Sequence, residues 1–437
     1  MSAPSDRPNI LYIHSHDSGR YVQPYGYSVP TPNMQLLADQ GTLFRRAFCA
    51  APTCSGSRAA LLTGQHCHNN GMTGLAHRGW ELNDYGQHLV HPLKKAGYRT
   101  ILVGEQHISK DPGVIGYDEV RRLDSNLAGL VAPSALDAMS NAQEPFFMSI
   151  GFFETHRDFA APNSVRDTLY SLPPQNLPDN LVTRHDMAAF KASVRSLDQG
   201  VGAVLNGLHM SGLADNTLVI CTTDHGLAFP KAKATLLDGG IGVMLIMRGP
   251  GGFNGGKVVD SMVTQLDIYP TLCEIAGVDP PGFLQGKSLM PLVKGETAAL
   301  HDEIFAEITY HAAYEPQRAV RTDRWKYIRR FDGRDKPVLA NVDDSATKDL
   351  LVEAGWGDRK VGEEQLYDLL LDPVEEKDLA GDPDFSEVLD DMRGRLDAWM
   401  EETDDPIRFG PIAPPPGSEI NDPDQTSPDE PLMSVPA

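Results

Sequence analysis

The sequence predicts an α/β protein: a mixed, mostly parallel sheet sandwiched by helices, with a smaller α+β subdomain at its C-terminal end. Three observations predict it. Short apolar runs rich in β-branched residues alternate with longer helical patterns, as parallel strands joined by crossover helices do. Four of those runs end in His, Asp or Glu, and open α/β sheets place their chemistry beyond the C-terminal ends of parallel strands. From about residue 300 the pattern changes to shorter β-type runs closed by one helix.

In chain order, Ile10-Leu11-Tyr12-Ile13 reads as a buried strand followed by His14, His16 and Asp17. Thr31-Pro32-Asn33 opens a helix whose apolar positions Met34, Leu36 and Leu37 run to a Gly41 stop. Residues 44–50 lead into 51–64, where Cys54 sits in a Ser/Gly turn that opens into Ala59-Ala60-Leu61-Leu62. A side chain there faces unpaired N–H groups at the positive end of a helix, and Arg58 falls one turn further on. A second strand, about 99–104, ends in Glu105, Gln106 and His107. A third, 145–152, ends in Glu154, Thr155, His156 and Arg157. An amphipathic helix is expected over about 184–210, then a fourth strand, 216–223, ending in Asp224 and His225. Another strand follows at 242–247 and a helix from Leu266. Runs 304–307 and 325–328 suggest a small antiparallel sheet, closed by a helix over about 385–402. The expected division is a catalytic α/β domain over 1–300, a C-terminal subdomain over 301–403 and a Pro/Asp-rich tail over 404–437. Its composition makes that tail extended, either disordered or draped over a neighbour, which leaves room for a homo-oligomer.

Composition excludes several functions. A formal net charge of −22 argues against nucleic acid or an anionic membrane as partner, and requires a locally basic pocket for any anionic substrate. Five cysteines (Cys49, Cys54, Cys67, Cys221, Cys273) are too few and too scattered for a disulfide framework, and their odd number fits a reducing compartment. The first nine residues carry no apolar signal core, and no window approaches a membrane span. A cytoplasmic location is therefore expected. His66, His68, His88 and His91 read as packing or surface residues, and His311 as lying outside the pocket.

Several stretches together resemble the sulfatase family of the alkaline phosphatase superfamily. They are Pro8-Asn9-Ile10-Leu11 with His16-Asp17, Thr31-Pro32-Asn33, and Cys54 and Arg58 with Leu61-Leu62-Thr63-Gly64. Thr223-Asp224-His225-Gly226, Lys233 with Thr235-Leu236, and Gln365-Leu366-Tyr367-Asp368-Leu369 with Asp372-Pro373 and Glu375 complete the series. Asn70-Gly71-Met72 and Phe153-Glu154-Thr155-His156-Arg157 look most like the heparan N-sulfatase branch. The resemblance implies an alkaline-phosphatase-like fold and hydrolysis of sulfate esters. It implies that Cys54, converted to formylglycine by a formylglycine-generating enzyme, supplies the nucleophile on a divalent metal. Asp17, Asp224 and His225, with His16 as a fourth, would hold that metal. Arg58 would steady the nucleophile and Lys233 would bind the non-bridging oxygens. His107 and His156 would move protons or bind the anion, with Glu154 beside the substrate.

Three positions depart from the family pattern. Gly56 stands where Pro or Ala is usual, His16 replaces the first of two opening aspartates, and Glu105 replaces a lysine. If Cys54 remains a thiol, its thiolate is an alternative nucleophile. Two imidazoles and fewer carboxylates move the metal preference from calcium toward manganese, zinc or iron, with manganese or calcium ahead overall. The same site suits a phosphodiester or phosphonate monoester hydrolase. A catalytically inactive sulfatase-like binding protein is the reading from another class. The substrate expected is a small sulfate or phosphate ester.

Overall fold

The computed structural model describes residues 7–436; the first six residues of the polar N-terminal stretch lie outside it. Thirteen strands build two sheets. In chain order the first nine are β1 (Asn9–Ser15), β2 (Thr42–Phe48), β3 (Arg99–Gly104), β4 (Glu119–Arg121), β5 (Phe146–Gly151), β6 (Thr217–Thr223), β7 (Gly242–Val243), β8 (Leu245–Arg248) and β9 (Lys257–Thr264). They form one nine-stranded sheet of order β4-β3-β5-β1-β6-β8-β2-β7, with β9 pairing β2. The run from β4 to β6 is parallel throughout, and β8 pairs antiparallel with both β6 and β2. The sheet is therefore mixed and mostly parallel, as the sequence predicted.

Period-two alternation distributes each central strand between two cores. Ile10, Tyr12, Phe147, Leu218 and Ile220 face the layer that holds the helices Cys54–Thr63 and Ile268–Ala276. Leu11, Ile13, Met148, Val219 and Cys221 face the opposite layer, formed by the helices Pro32–Gln40, Ala128–Asn141 and Leu181–Met210. Truncating one of the Ile, Leu, Met or Phe side chains among these to Ala would cost about 2–5 kcal/mol, so the strand ends are held on a rigid platform.

The second sheet is antiparallel: β10 (Glu303–Tyr310), β11 (Tyr314–Thr322), β12 (Trp325–Arg330) and β13 (Glu364–Asp368). The helix Ser386–Glu402 covers it through Leu389, Met392, Leu396 and Trp399.

Some boundaries differ from the sequence reading, for local reasons. The long helix starts at Leu181 because the Asn180 side chain accepts from the Val182 and Thr183 amides. The single strand expected at 242–247 is two, since the Met244 amide leaves the ladder to donate to the Gly19 carbonyl. The helix Ala128–Asn141 and strand β9 were not anticipated. Beyond Glu402 the tail runs back over its own chain and closes with a two-residue ladder between β14 (Glu419–Ile420) and β15 (Met433–Ser434). Among the described residues no helix is long and apolar enough to cross a membrane.

Candidate active site

The loops after β1 and β6, the start of the Cys54 helix and the loop around Lys233 converge on one buried point. Thr53 caps that helix in extended conformation, so Cys54 is its first residue, and Gly64 in left-handed conformation ends it. Cys54 Sγ lies 3.3 Å from His225 Nε2 and 4.0 Å from Asp17 Oδ1. Asp17 directs its other oxygen to Lys233 Nζ at 3.0 Å. The Asp224 carboxylate is held on both oxygens. Oδ1 accepts the Asp17 and His225 amides at 2.8 and 2.9 Å, and Oδ2 lies 3.0 Å from Arg58 Nη2 and 3.1 Å from His16 Nδ1. Although burial raises its carboxyl, the His225, Arg58 and His16 charges hold Asp224 well below the usual range.

Arg58 acts beneath the site. Besides Asp224 it donates to the Ser15 carbonyl at 2.9 Å and contacts His14 Nδ1, so its guanidinium braces the carboxylate. Ser55 Oγ donates to the His107 carbonyl at 2.6 Å and accepts the Ala76 amide, tying two loops to the start of the Cys54 helix. His107 itself has a positive φ of 53°, a conformation that such bonds must hold in place. His156 donates from Nδ1 to the Arg157 carbonyl, leaving Nε2 3.5 Å from Lys233 Nζ.

The donor set fits a divalent cation. Ligand atoms of His16, Asp17, Cys54 and Asp224 all lie within 4.8 Å of one another. His225 Nδ1 faces the Gly226 carbonyl at 3.0 Å and can only donate to it, which leaves the Nε2 lone pair aimed at Asp17 Oδ1, 3.3 Å away. Two acceptors at that distance require a positive charge between or upon them. His16 Nε2 and His107 Nδ1 are buried without a hydrogen-bond partner. Burial and then the Asp17 and Asp224 carboxylates push the Cys54 thiol well above its ordinary range, outweighing Lys233 and Arg58; a divalent ion held by these residues would oppose that effect.

Of the expected site residues, Glu154 lies elsewhere in role. Both its carboxylate oxygens accept the Ala128 amide at 3.0 Å, so it caps the helix Ala128–Asn141 and is not free to meet substrate. Glu105, at the position of the missing lysine, is likewise engaged, accepting from Asn126 at 2.8 Å. Two neighbours were missed. His77 Nδ1 lies 2.7 Å from His107 Nε2, and Asp343 Oδ2 lies 3.0 Å from Lys233 Nζ, which it shares with Asp17. Neither stands in a patterned segment, so the sequence held no signal for them. His311 packs beside this pair: burial, with help from Lys233, pushes its pKa down to about 3. His66 and His68 belong to a separate buried network with Glu307, Arg318 and Asp405, in which the guanidinium pairs with both acids and His68 contacts Glu307.

A buried thiol, carboxylates, imidazoles and a buried lysine, gathered beyond the C-terminal ends of parallel strands, are the groups a hydrolase needs, on an alkaline-phosphatase-like fold. Comparison with known proteins identifies the family. The family described as Sulfatase matches residues 8–278, and that described as N-sulphoglucosamine sulphohydrolase, C-terminal, matches 226–348. The chain belongs to the sulfatase family and is a sulfuric ester hydrolase. It is 28% identical to the N-sulphoglucosamine sulphohydrolase of Homo sapiens, over 91% of each chain. It is also 28% identical to an ulvan-active sulfatase of Formosa agariphila, over 98% of this chain and 87% of that one. A protein solved in complex with its substrate D-glucosamine-2-N,6-O-disulfate superposes with a TM-score of 0.74 at 19% identity, covering 91% of this chain and 98% of the other. The phosphonate monoester hydrolase of Agrobacterium radiobacter superposes with a TM-score of 0.73 at 20% identity, covering 94% and 100%. At those identities the two structures show the fold alone.

Proposed function

We propose that this sulfatase removes a sulfate group from a small sulfated sugar, an N-sulfated amino sugar first among them, with Cys54 as formylglycine and a divalent metal beside it. The observation that carries the reading is the convergence of Cys54, Asp17, His225 and Lys233 at the start of one helix. Whole-length similarity to an N-sulphoglucosamine sulphohydrolase supports the sugar class.

Asp17, Asp224, His225 and His16 would hold the metal, whose positive charge would acidify the attacking hydroxyl and neutralise sulfuryl oxygens. The aldehyde of a converted Cys54 would supply, as its hydrate, one hydroxyl to attack sulfur and a second to expel sulfate when the aldehyde re-forms. The chain's own residues divide the remaining work. Lys233 presents an ammonium, kept charged by Asp17 and Asp343 against the effect of burial, to the non-bridging oxygens. His156 Nε2 accepts from that ammonium and fixes its direction. His107, backed by His77, would bind the anion or move a proton to or from the departing amine or alcohol as the S–N or S–O bond breaks.

The test is one preparation from the native host. The tryptic peptide from Ala47 to Arg58 should carry the mass of the aldehyde, and kcat/KM should favour glucosamine N-sulfate and aryl sulfate over a phosphonate monoester. A fully active enzyme with an unmodified thiol overturns the aldehyde; a large preference for phosphorus overturns the substrate class.

A further inference from the structure

We propose that the C-terminal tail, residues 411–436, forms a wall of the substrate site and sets which sulfated sugars it accepts. The inference rests on the sulfated-sugar reading above and deepens it. Residues on three separate loops border the site: His77 lies 2.7 Å from His107, Asp343 lies 3.0 Å from Lys233, and His311 is buried within electrostatic reach of Lys233. The tail holds the sequence neighbour of each one.

Arg78, next to His77, donates to Asn421 Oδ1 at 2.6 Å and to the Pro428 carbonyl at 3.3 Å. Gly79 follows in left-handed conformation, and a Cβ there would meet Ser418 Cα at 2.8 Å, so loop and tail are in direct backbone contact. Ala312 and Ala313, next to His311, meet Asn421 through an amide-to-carbonyl bond of 2.9 Å and a β-bridge. Asp344, next to Asp343, accepts from Ser427 Oγ. Asn421 is the hub: it is fully buried, and its amide group also donates to Gln425 Oε1 at 2.8 Å.

A segment that only decorated the surface would not touch all three pocket loops. These contacts brace the outer turns of the loops that carry His77, His311 and Asp343, and a sugar ring seated on the sulfate pocket would meet those turns. The tail's charge adds a preference. Residues 411–436 hold five acids (Glu419, Asp422, Asp424, Asp429, Glu430) and no Lys or Arg. Asp424 is paired with Arg334, but the remaining acids leave the tail net negative, and at physiological salt, where charges act over about 8 Å, that charge disfavours a chain carrying further sulfates.

Three full-length variants test it, assayed on a small aryl sulfate, a panel of monosulfated hexosamines and a multiply sulfated disaccharide. Asn421→Ala and Ser427→Ala should keep aryl-sulfate kcat/KM within about 3-fold and raise KM for the best monosulfated sugar about 10-fold, the effect of losing one or two aligning hydrogen bonds. Asp422→Asn/Asp424→Asn/Asp429→Asn should lower KM for the disaccharide in a salt-dependent way. Equal losses on aryl sulfate and sugar, or no change on either in both single variants, overturn the proposal; Ser427 is only partly buried and loses a single hydroxyl, so folding is safe in at least that variant. Should the best sugar prove not to be N-sulfated, the amino-sulfate reading falls while the comparison on that sugar still decides the tail's role.

Discussion

His77 Nδ1 lies 2.7 Å from His107 Nε2, with the two rings stacked 5.0 Å apart at 13°. Burial pushes both pKa values down, helped by Arg78 at His77 and by His77 and Arg58 at His107, so near neutral pH the pair shares one proton in that bond. His77 therefore decides which ring nitrogen of His107 carries its proton. His77→Ala should lower kcat about 10–100-fold with a smaller change in KM, as loss of an orienting partner does, and should shift the acid limb of the kcat–pH profile. His77→Asn should recover part of the loss. Steady-state kinetics on an aryl sulfate check this, and an unchanged kcat with raised KM would contradict it.

Asp224 is the point where the metal-type residues and the buried cation meet. Asp224→Asn keeps the shape and can still accept from the Asp17 amide, but it removes the charge that balances Arg58. Bound metal, measured by elemental analysis of the purified protein, should fall well below one equivalent. Turnover should fall at least about 1000-fold, since the attacking group loses its electrostatic activation. Stability should fall as well, by about 3–5 kcal/mol, because a buried guanidinium is left without its partner. Full metal occupancy in the variant would refute the ligand assignment.

The strands and the site they carry were legible for a physical reason. Ile10–Ile13, Val219 and Ile220 are buried on both sheet faces, so apolar β-branched runs mark them without ambiguity, and Asp17, Asp224 and His225 follow within four residues of a strand. Asp343 and His77 were not legible. They reach the site from turns whose positions depend on contacts 110 and 30 residues away in sequence, to Lys233 and His107, and no local pattern encodes such pairings. Glu154 misled for the opposite reason: it sits in a motif at a strand end, yet its side chain is used as a helix cap. The tail shows the limit of composition. Pro and Asp make it extended, but only Asn421 and its buried partners show where it goes.

Gly56 has a packing explanation that the motif comparison lacked. A Cβ at this position would approach Thr53 Oγ1 to 2.9 Å, Ala51 Cβ to 3.1 Å and Cys67 Sγ to 3.2 Å, and Cys67 Sγ donates to the Gly56 carbonyl at 3.4 Å. Gly56→Ala, which restores a residue usual in the family, should therefore destabilise the folded protein by about 1–3 kcal/mol through overpacking. Its effect on conversion of Cys54 is separable, since the thermal melt reads packing and the mass of the 47–58 peptide reads conversion. A melting temperature equal to or above that of the unaltered protein would show that the helix start relaxes freely.

Acid should weaken the fold through histidines remote from the catalytic site, His88 foremost. Its ring is fully buried, Nδ1 accepts the Val90 amide at 3.1 Å, and Nε2 has no hydrogen-bond partner. Burial, with a further contribution from His91, lowers its pKa from about 6.5 to about 3. The sign follows from proton counting. Below the unfolded value the unfolded chain binds a proton that the native state refuses, so stability is full above about pH 6.5 and is lost as the pH falls toward 3. Each such histidine contributes a slope of about 1.4 kcal/mol per pH unit in that window. His66, lowered to about 4 by burial, adds to the slope over the upper part of the range. His88→Gln should cost some stability at pH 7.5, because the new side chain fits the site less well. It should also flatten the dependence of unfolding free energy on pH between 6.5 and 5 by about one histidine's share. Urea unfolding of both proteins at pH 5.0, 6.0 and 7.5 measures this. Parallel curves for the two proteins would mean that His88 takes up its proton in the folded state as readily as in the unfolded one.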